Sequence, residues 1–396
     1  MDREKKSVVK DKINILVAGG RLQGTEIVYL AKKAGYFVTL VDRSMEAPAA
    51  GLADRFISAD IFDESEMLEI VQCADCVIPA IEDIEVLDQL GKYCEKTGVA
   101  YIFDRAAYLI SCSKGKTNSL LNQLGINIPT AFPDCGYPVI CKPDSSSGSR
   151  GVRKIESEEE FLRLTQGSPD GCVVQQYLSG PSYSLEVLGN GSEAIFPMIT
   201  EVVTDEAYDC KRIVAPAAVD AALQKEFVQI AEKINSALHI KGIFDIEVVL
   251  HDGKLYVLEI DARFPSQTPI SIYQSSGVNF AEILIALAEG REIGEYAKQC
   301  RTGLRKSCIY QQILVEKDRV KVCGEHIMSD AGCLRLMPGF CGADEMITDY
   351  RTGLENWRAI VILTGPDIEE TALKWERCLR KIAEVQGYEK MEYIEG

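Results

Sequence analysis

The chain has 396 residues, more than one ordinary domain needs, and its 60 acidic and 43 basic residues give a formal net charge of -17. This balance argues against a nucleic-acid surface, because such a surface needs clustered lysine and arginine. No apolar run approaches the ~18 residues of a membrane span and the N-terminal segment lacks an apolar signal core, so we expect a cytoplasmic protein that acts on small molecules and has no membrane or nucleic-acid partner.

Short apolar runs rich in β-branched residues alternate with helical stretches in the first quarter of the chain. This alternation predicts parallel βαβ units. The stretch VAGGRLQG after the first run, with Asp42 further on, suggests a dinucleotide-binding fingerprint. However, a G-x-G-x-x-G pattern needs glycine where Arg21 or Leu22 stands. We therefore interpret the stretch as a tight strand-to-helix turn in a scaffold, which removes the main argument for an NAD-dependent dehydrogenase.

The 14 cysteines are scattered along the chain. The one close pair, Cys73 and Cys76, has no second pair at zinc-ligand spacing, and the chain contains only 3 histidines. We therefore expect reduced thiols and a structural role for this pair.

The pattern then changes to that of a smaller α+β domain. A helix begins near Lys114, and the apolar strand YPVICKP carries Lys142 near its end. A lysine in such a strand usually has a partner. The following loop contains Ser147, Gly148 and Gly151, and its hydroxyl and N–H groups suit a phosphate, although a flexible surface loop would also explain the glycines.

The remainder of the chain contains several strands around a long amphipathic helix at 223–240. Beyond about Arg301, mixed β-like runs lead to a final helix. This last region is either a small appended lobe or the completion of a third domain.

Two strands at 244–261 flank the turn sequence HDGK. In the second strand Glu259 and Asp261 alternate with apolar residues, and Arg263 continues the alternation, so all three lie on one face. A plain two-residue turn would set Glu247 opposite Leu258. We expect an extra residue in the turn, such as a bulge at Gly253, which would bring Glu247 across from Glu259.

In that register three carboxylates and a guanidinium converge. Clustered carboxylates repel each other unless a cation neutralises them, and Mg²⁺ accepts carboxylates together with substrate phosphates. The alternative is a solvated strand face with an ion pair to Arg263. The hairpin therefore predicts a metal site without excluding this simpler arrangement.

The order of Lys114, Lys142 with its Ser/Gly loop, QQYLSG, Glu247 and LEIDARFPS resembles the ATP-grasp ligases over essentially the whole chain. The resemblance implies an α/β, three-domain ATP-grasp fold. Residues 1–108 would form an N-terminal parallel-sheet, Rossmann-like domain, and residues 109–180 and 181–396 would form two α+β domains that enclose ATP. It also implies an ADP-forming enzyme that joins a carboxylate to an amine through an acyl phosphate.

Within this superfamily, GGRLQGTEIVYLAKKAG, EAYDC and EIDARFPSQTP followed by YQSSGVN are similar to the pyrrolysine-biosynthesis branch. That branch joins the carboxylate of 3-methyl-D-ornithine to the ε-amine of L-lysine. The alternative is another carboxylate-amine ligase of the D-alanine ligase or carboxylase type. A nucleotide sensor would keep the lysines but tolerate loss of the carboxylates. The resemblance also allows a homodimer.

Carried over by position, the resemblance implies ATP and Mg²⁺ as cofactors and a set of residues for each role. The ATP-binding set is Lys114, Lys142, Ser147, Gly148, Gly151, Gln175, Gln176, Tyr177 and Leu178, with the 145–152 loop as a lid and the N-terminal domain beside the amino-acid substrate. The metal ligands are Glu247, Glu259 and Asp261, and the catalytic residues are Arg263 and Asp261. The substrate-binding set is Ser184, Glu186, Asp245, Ser266 and Thr268.

The chain departs from the family pattern at two places. The family usually has asparagine at position 261, and it usually has glutamates where Gln175 and the segment after Gly180 stand. The sequence therefore does not identify the side chain that binds the ribose. The proton of the attacking amine could go to Asp261 or to Glu186.

Overall fold

The computed structural model describes residues 12–145, 148–165, 171–302 and 305–395, and these residues form three β-sheets. The N-terminal sheet is parallel, and the two later sheets are built mainly from antiparallel pairs. The predicted α/β class with an N-terminal parallel sheet is confirmed.

The N-terminal sheet has five strands in the order β3-β2-β1-β4-β5. Its elements are β1 (Asn14–Ala18), α1 (Leu22–Lys33), β2 (Phe37–Asp42), β3 (Arg55–Ser58), α2 (Glu64–Val71), β4 (Cys76–Pro79), α3 (Ile84–Thr97) and β5 (Ala100–Tyr101). The central strands are continuously apolar and buried, as expected when helices cover both faces of a parallel sheet. The strand order reverses between β1 and β4, so a crevice opens at their carboxyl ends.

The glycine-rich turn between β1 and α1 is closed by its own contacts. A Cβ atom on Gly24 would lie 2.1 Å from the Gly19 carbonyl oxygen, so the turn admits only glycine there. The Asp42 carboxylate accepts hydrogen bonds from the backbone N–H groups of Gly20 and Ser44, both at 2.8 Å. Asp42 thus holds the turn itself.

The small sheet has the order β7-β6-β8 and its own apolar cluster around Val139 and Phe161. Two helices precede this sheet and a third lies between its strands. The elements are α4 (Arg105–Ser111), α5 (Lys114–Gln123), β6 (Val139–Pro143), β7 (Arg153–Ile155), α6 (Glu158–Thr165) and β8 (Cys172–Gln176).

The third sheet contains twelve strands, whose main path runs β14-β13-β9-β11-β12-β15-β19-β18-β17. Its elements before residue 303 are β9 (Ser182–Asn190), β10 (Ala194–Ile195), β11 (Ile199–Thr204), β12 (Cys210–Ala215), α7 (Ala221–Leu238), β13 (Lys241–His251), β14 (Lys254–Asp261), α8 (Thr268–Ser276), α9 (Phe280–Ala288) and α10 (Gly294–Thr302). The later elements are β15 (Ser307–Glu316), β16 (Arg319–Val322), α11 (His326–Ser329), β17 (Arg335–Pro338), β18 (Glu345–Thr348), β19 (Asn356–Gly365), α12 (Ile368–Gln386) and β20 (Glu392–Glu395).

The region beyond residue 301 continues the third sheet, because β15 pairs with β12 on one side and with β19 on the other. It also has an apolar cluster of its own, which includes Trp357 and Trp375. The region is therefore joined to the sheet by strand pairing and is not connected by a linker alone.

No single helix among the described residues is long and apolar enough to cross a membrane. Helices α8 and α9 reach the required length only together, and they are bent by 99° at their junction. All 14 cysteines lie within the described residues, and none of them is paired in a disulfide.

Glu26 connects the N-terminal domain to the third sheet. Its side chain is buried at 1% exposure and accepts hydrogen bonds from the Ile270 N–H and the Tyr310 hydroxyl, each at 2.9 Å. Burial raises the pKa of Glu26 to about 8, although both hydrogen bonds lower it. This contact attaches α1 to the first turn of α8 and to β15.

The buried Glu26 carboxyl is expected to make the fold less stable as the pH rises. Between the ordinary glutamate pKa of 4.5 and about 8 the folded state keeps a proton that the unfolded state has lost, so the free energy of unfolding falls with increasing pH. The effect is on the order of 4 kcal/mol by pH 8. Glu26→Gln keeps the shape without titrating and should make the profile measured by urea unfolding at several pH values less steep, while the other buried carboxyls continue to contribute.

Glu232→Gln, at an exposed position of α7, is the matched control and should follow the wild-type profile. If the Glu26→Gln profile runs parallel to that of the wild type, Glu26 is not the group that titrates.

Candidate active site

The β13–β14 hairpin pairs the predicted carboxylates, but by a different route from the one expected. The turn at 251–254 is a plain two-residue turn, in which Asp252 and Gly253 have φ values of 48° and 74°. The register shifts further along the strands, and Glu247 pairs with Glu259. The expectation of an extra residue at Gly253 is therefore wrong, while the expected pairing of the two glutamates is correct.

The extra residue is Leu258, which lies between the pairs Val248–Val257 and Glu247–Glu259. Its carbonyl accepts a hydrogen bond from the Lys142 ammonium at 3.0 Å. Lys142 is 7% exposed, and it thus has the partner that a lysine in an apolar strand requires. A bulge re-aims a strand locally, and here it brings a lysine of the small sheet against β14.

The other predicted charged residues form ion pairs along β14. The Lys114 ammonium lies 2.7 Å from Glu259, and the Arg263 guanidinium lies 2.9 Å from Asp261. Arg263 also lies 3.5 Å from Asp245, which pairs with Asp261 across the hairpin. Glu259, Asp261 and Asp245 therefore each already have a cationic neighbour from the chain.

The described residues contain no group of three or more histidine, cysteine, aspartate or glutamate side chains that is arranged to hold a metal ion. The electrostatics of the cluster nevertheless suit a cation. Burial, together with the neighbouring Glu259 and Asp261, raises the pKa of Glu247 to about 7. Burial also raises the pKa of Asp261, which Arg263 partly offsets. Hard oxygen donors that repel each other in a buried site are the donors that Mg²⁺ prefers.

The segment predicted to contact adenine leaves β8 beside β6. Gln175 is buried, and its side-chain oxygen has no hydrogen-bond partner among the described residues. The Tyr177 N–H donates to the Pro138 carbonyl at 3.1 Å, so this group is already engaged. The Lys154 ammonium lies 4.2 Å from the centre of the Tyr177 ring. Gln176 donates its backbone N–H to Thr130 at 2.8 Å, and Leu178 is half-buried.

The described part of the predicted lid contacts helix α11 and the end of β6. A Cβ atom on Gly148 would lie 3.0 Å from the His326 ring, and one on Gly151 would lie 3.0 Å from Pro143. Both glycines have positive φ values, 59° and 78°. Glycine is therefore required at both positions for conformation and for space. Ser147 lies outside the described residues.

The predicted substrate residues form two neighbouring polar groups. Ser184 of β9 donates to Glu186 at 3.2 Å, and the second carboxylate oxygen of Glu186 and the Thr268 hydroxyl have no hydrogen-bond partner among the described residues. Burial raises the pKa of Glu186 to about 7. Ser266 donates to Glu325 at 2.7 Å. Thus Ser184 and Glu186 are in contact, whereas Ser266 is attached to the C-terminal region.

Two acidic residues at this site were not predicted. Glu82 follows β4 and accepts hydrogen bonds from Arg263 at 2.8 Å and from Gln23 at 2.6 Å. Its place at the carboxyl end of a switch-point strand is a signal that could have identified it. Glu325 is buried against the Ser266–Gln267 segment, and no signal in the sequence indicates this contact.

Lys114 and Lys142 contact a hairpin that carries carboxylates, and both lysines follow the N-terminal parallel sheet along the chain. This combination defines an enzyme of the ATP-grasp class. The family model described as ATP-grasp domain matches residues 112–267, and the model described as PylC-like, N-terminal domain matches residues 15–103. The fold also matches the biotin carboxylase domain of Hydrogenobacter thermophilus 2-oxoglutarate carboxylase, crystallised with MgADP and bicarbonate. That match has a TM-score of 0.72 at 15% identity and covers 93% of this chain and 90% of the other.

A closer similarity defines the family. The 3-methyl-D-ornithine–L-lysine ligase of Methanosarcina barkeri is 36% identical over 318 residues, which are 80% of this chain and 84% of the relative. The D-alanine–D-alanine ligase of Fusobacterium nucleatum is 29% identical over 201 residues, 47% of this chain and 66% of that enzyme. The chain belongs to the family of 3-methyl-D-ornithine–L-lysine ligases.

Proposed function

We propose that this protein uses ATP and Mg²⁺ to join the carboxylate of 3-methyl-D-ornithine to the ε-amine of L-lysine, releasing ADP and phosphate. The observation that carries the proposal is the similarity to the Methanosarcina ligase, which spans both the nucleotide-binding half and the N-terminal domain. The convergence of Lys114, Lys142, Arg263 and the hairpin carboxylates supports the chemistry.

Lys114 and Lys142 are assigned to the ATP phosphates. Their ammonium groups contact adjacent residues of β14, Glu259 and Leu258, so both point to one place on the hairpin. The Leu178 N–H is assigned to adenine, because the neighbouring Tyr177 N–H is bonded to Pro138. In this arrangement the small sheet and the hairpin hold the nucleotide between them.

Glu247, Glu259 and Asp261 would hold Mg²⁺, which supplies charge neutralisation at the transferred phosphoryl group. Arg263 would add a positive charge of the protein itself to that of Mg²⁺ at the phosphoryl group. Its guanidinium is fixed by carboxylates on three sides, so little reorganisation is needed when negative charge develops.

The first step forms a bond between a carboxylate oxygen of the ornithine and the γ-phosphorus, and ADP leaves. In the second step the lysine amine attacks the acyl carbon, phosphate leaves, and the amine loses a proton. Glu186 is buried and Asp261 is half-buried, and desolvation raises the pKa of each carboxyl, which suits a proton acceptor near neutral pH.

We assign the amine substrate to the crevice at the carboxyl ends of β1 and β4. Glu82 lies at this crevice and contacts Arg263, so it connects the N-terminal sheet to the reacting centre. A carboxylate at the mouth of the crevice suits an ammonium group. This assignment agrees with the general position of ligand sites at switch points of parallel sheets.

The order of the two steps gives the test. With ATP, Mg²⁺ and 3-methyl-D-ornithine but without lysine, hydroxylamine should intercept the acyl phosphate and give a hydroxamate. L-lysine alone should give none, because its carboxylate is not the one activated. During full turnover, ¹⁸O in the ornithine carboxylate should appear in phosphate. If the label stays out of phosphate while the amide forms, the acyl-phosphate route is excluded.

The same assay distinguishes the alternative ligases. ADP release with D-alanine alone, or with bicarbonate, and without a requirement for lysine would indicate a D-alanine ligase or carboxylase type of substrate. The lower coverage of the D-alanine–D-alanine ligase, 66% of its length, favours the diamino acid pair.

A further inference from the structure

Asp144 lies two residues beyond Lys142 and contacts the beginning of α5, the helix whose first residue is Lys114. Its carboxylate accepts hydrogen bonds from the Gly115 N–H at 2.7 Å and from the Ser113 hydroxyl at 2.8 Å. Its carbonyl accepts a third hydrogen bond from the Lys114 N–H at 3.1 Å. Asp144, which directly follows β6, thus binds three consecutive residues at the start of α5.

The sequence of α5 and its surroundings are adapted to this contact. The first turn of α5 contains no acidic residue, so Asp144 supplies from another element the negative charge that a helix N-terminus favours. A Cβ atom on Gly115 would lie 3.3 Å from the Asp144 carboxylate, which is tighter than an ordinary contact. Glycine at 115 therefore leaves room for the close approach of Asp144.

The contact joins two parts of the molecule that otherwise have separate cores. Leu121 of α5 belongs to the apolar cluster of the third sheet, together with Val257 and Ile260 of β14. Cys141 of β6, next to Lys142, belongs to the cluster of the small sheet. Asp144 therefore connects the small sheet to the body that carries the hairpin carboxylates.

We propose that Asp144 is a positioning residue for ATP, which fixes the separation of the Lys114 and Lys142 ammonium groups. The two lysines come from different elements, and their tips contact adjacent residues of β14. A small displacement of either lysine would misalign it with the phosphates, and displacements of about 1 Å can lower rates by about 100-fold. This inference rests on the proposed ATP site and goes beyond it.

The test compares Asp144→Ala and Asp144→Asn with a matched cap variant, Asp220→Ala. Asp220 caps α7 by accepting a hydrogen bond from the Leu223 N–H at 2.8 Å, and it takes no part in the site. Asp144→Ala is expected to weaken ATP binding and to raise KM for ATP by roughly 10-fold or more, with KM for both amino acids unchanged. Asp144→Asn keeps an acceptor for Gly115 and should restore most of the ATP affinity.

Equilibrium binding of MgADP, measured by calorimetry, separates this inference from the proposed function. If the wild type binds no MgADP, both fail. If the wild type binds MgADP and Asp144→Ala binds it equally well, only the role of Asp144 is overturned. The role is also overturned if Asp144→Ala and Asp220→Ala lower Tm alike and raise the three KM values alike, because the effect is then general destabilisation.

Discussion

Glu259→Gln is expected to lower the rate of ADP release by on the order of 100-fold at saturating Mg²⁺. The substitution keeps the shape of the side chain but removes a charged metal ligand. It also removes the negative charge that lies 2.7 Å from the Lys114 ammonium. The measurement is ADP release with ATP and both amino acids while the Mg²⁺ concentration is varied, and the concentration of Mg²⁺ at half-maximal rate should rise as well.

The exposed Glu232→Gln variant again serves as control, since it removes the same charge far from the hairpin. Lys114→Met keeps the metal ligand but removes both the ion pair and the assigned phosphate contact, so it should raise KM for ATP without raising the Mg²⁺ concentration at half-maximal rate. If Glu259→Gln reaches a near wild-type rate at saturating Mg²⁺, Glu259 is not a metal ligand.

The alternation of β14 was sufficient to predict that Glu259, Asp261 and Arg263 share a face. The Asp-Gly sequence favours a plain two-residue hairpin turn, but we expected an extra residue there because the pairing of Glu247 with Glu259 required a shift of register. The bulge at Leu258 could not be predicted from the sequence. Its position depends on packing and on the Lys142 ammonium, which arrives from another sheet, and alternation within one strand carries no information about such a contact.

The two acidic residues that were not predicted at this site show the same limit. Glu82 is separated from Arg263 by 181 positions, and Glu325 contacts Ser266 across 59 positions. Sequence patterns identify the buried face of one helix or strand, but they do not identify which distant element lies opposite. The role of the C-terminal region could therefore not be assigned before Glu325 was located beside the Ser266–Gln267 segment.

Lys142→Met is expected to raise KM for ATP by roughly 100-fold, because the phosphates lose a charge-assisted hydrogen bond, while the stability of the ligand-free protein changes little. Two opposing effects determine the stability. The Leu258 carbonyl loses its partner, which costs about 1–3 kcal/mol. The fold no longer buries an ammonium group, whose charged form is disfavoured there, because burial lowers the pKa of Lys142 despite the nearby Glu259.

Lys116→Met is the matched control for this prediction. Lys116 also donates to a backbone carbonyl, that of Leu109, at 3.1 Å, but its side chain is exposed. It should leave both KM for ATP and Tm near the wild-type values. A Lys142→Met variant that lost Tm strongly and kept its KM for ATP would show that Lys142 serves the packing of the small sheet against β14. A variant with the reverse pattern would show that the fold tolerates this buried charge for the sake of the nucleotide.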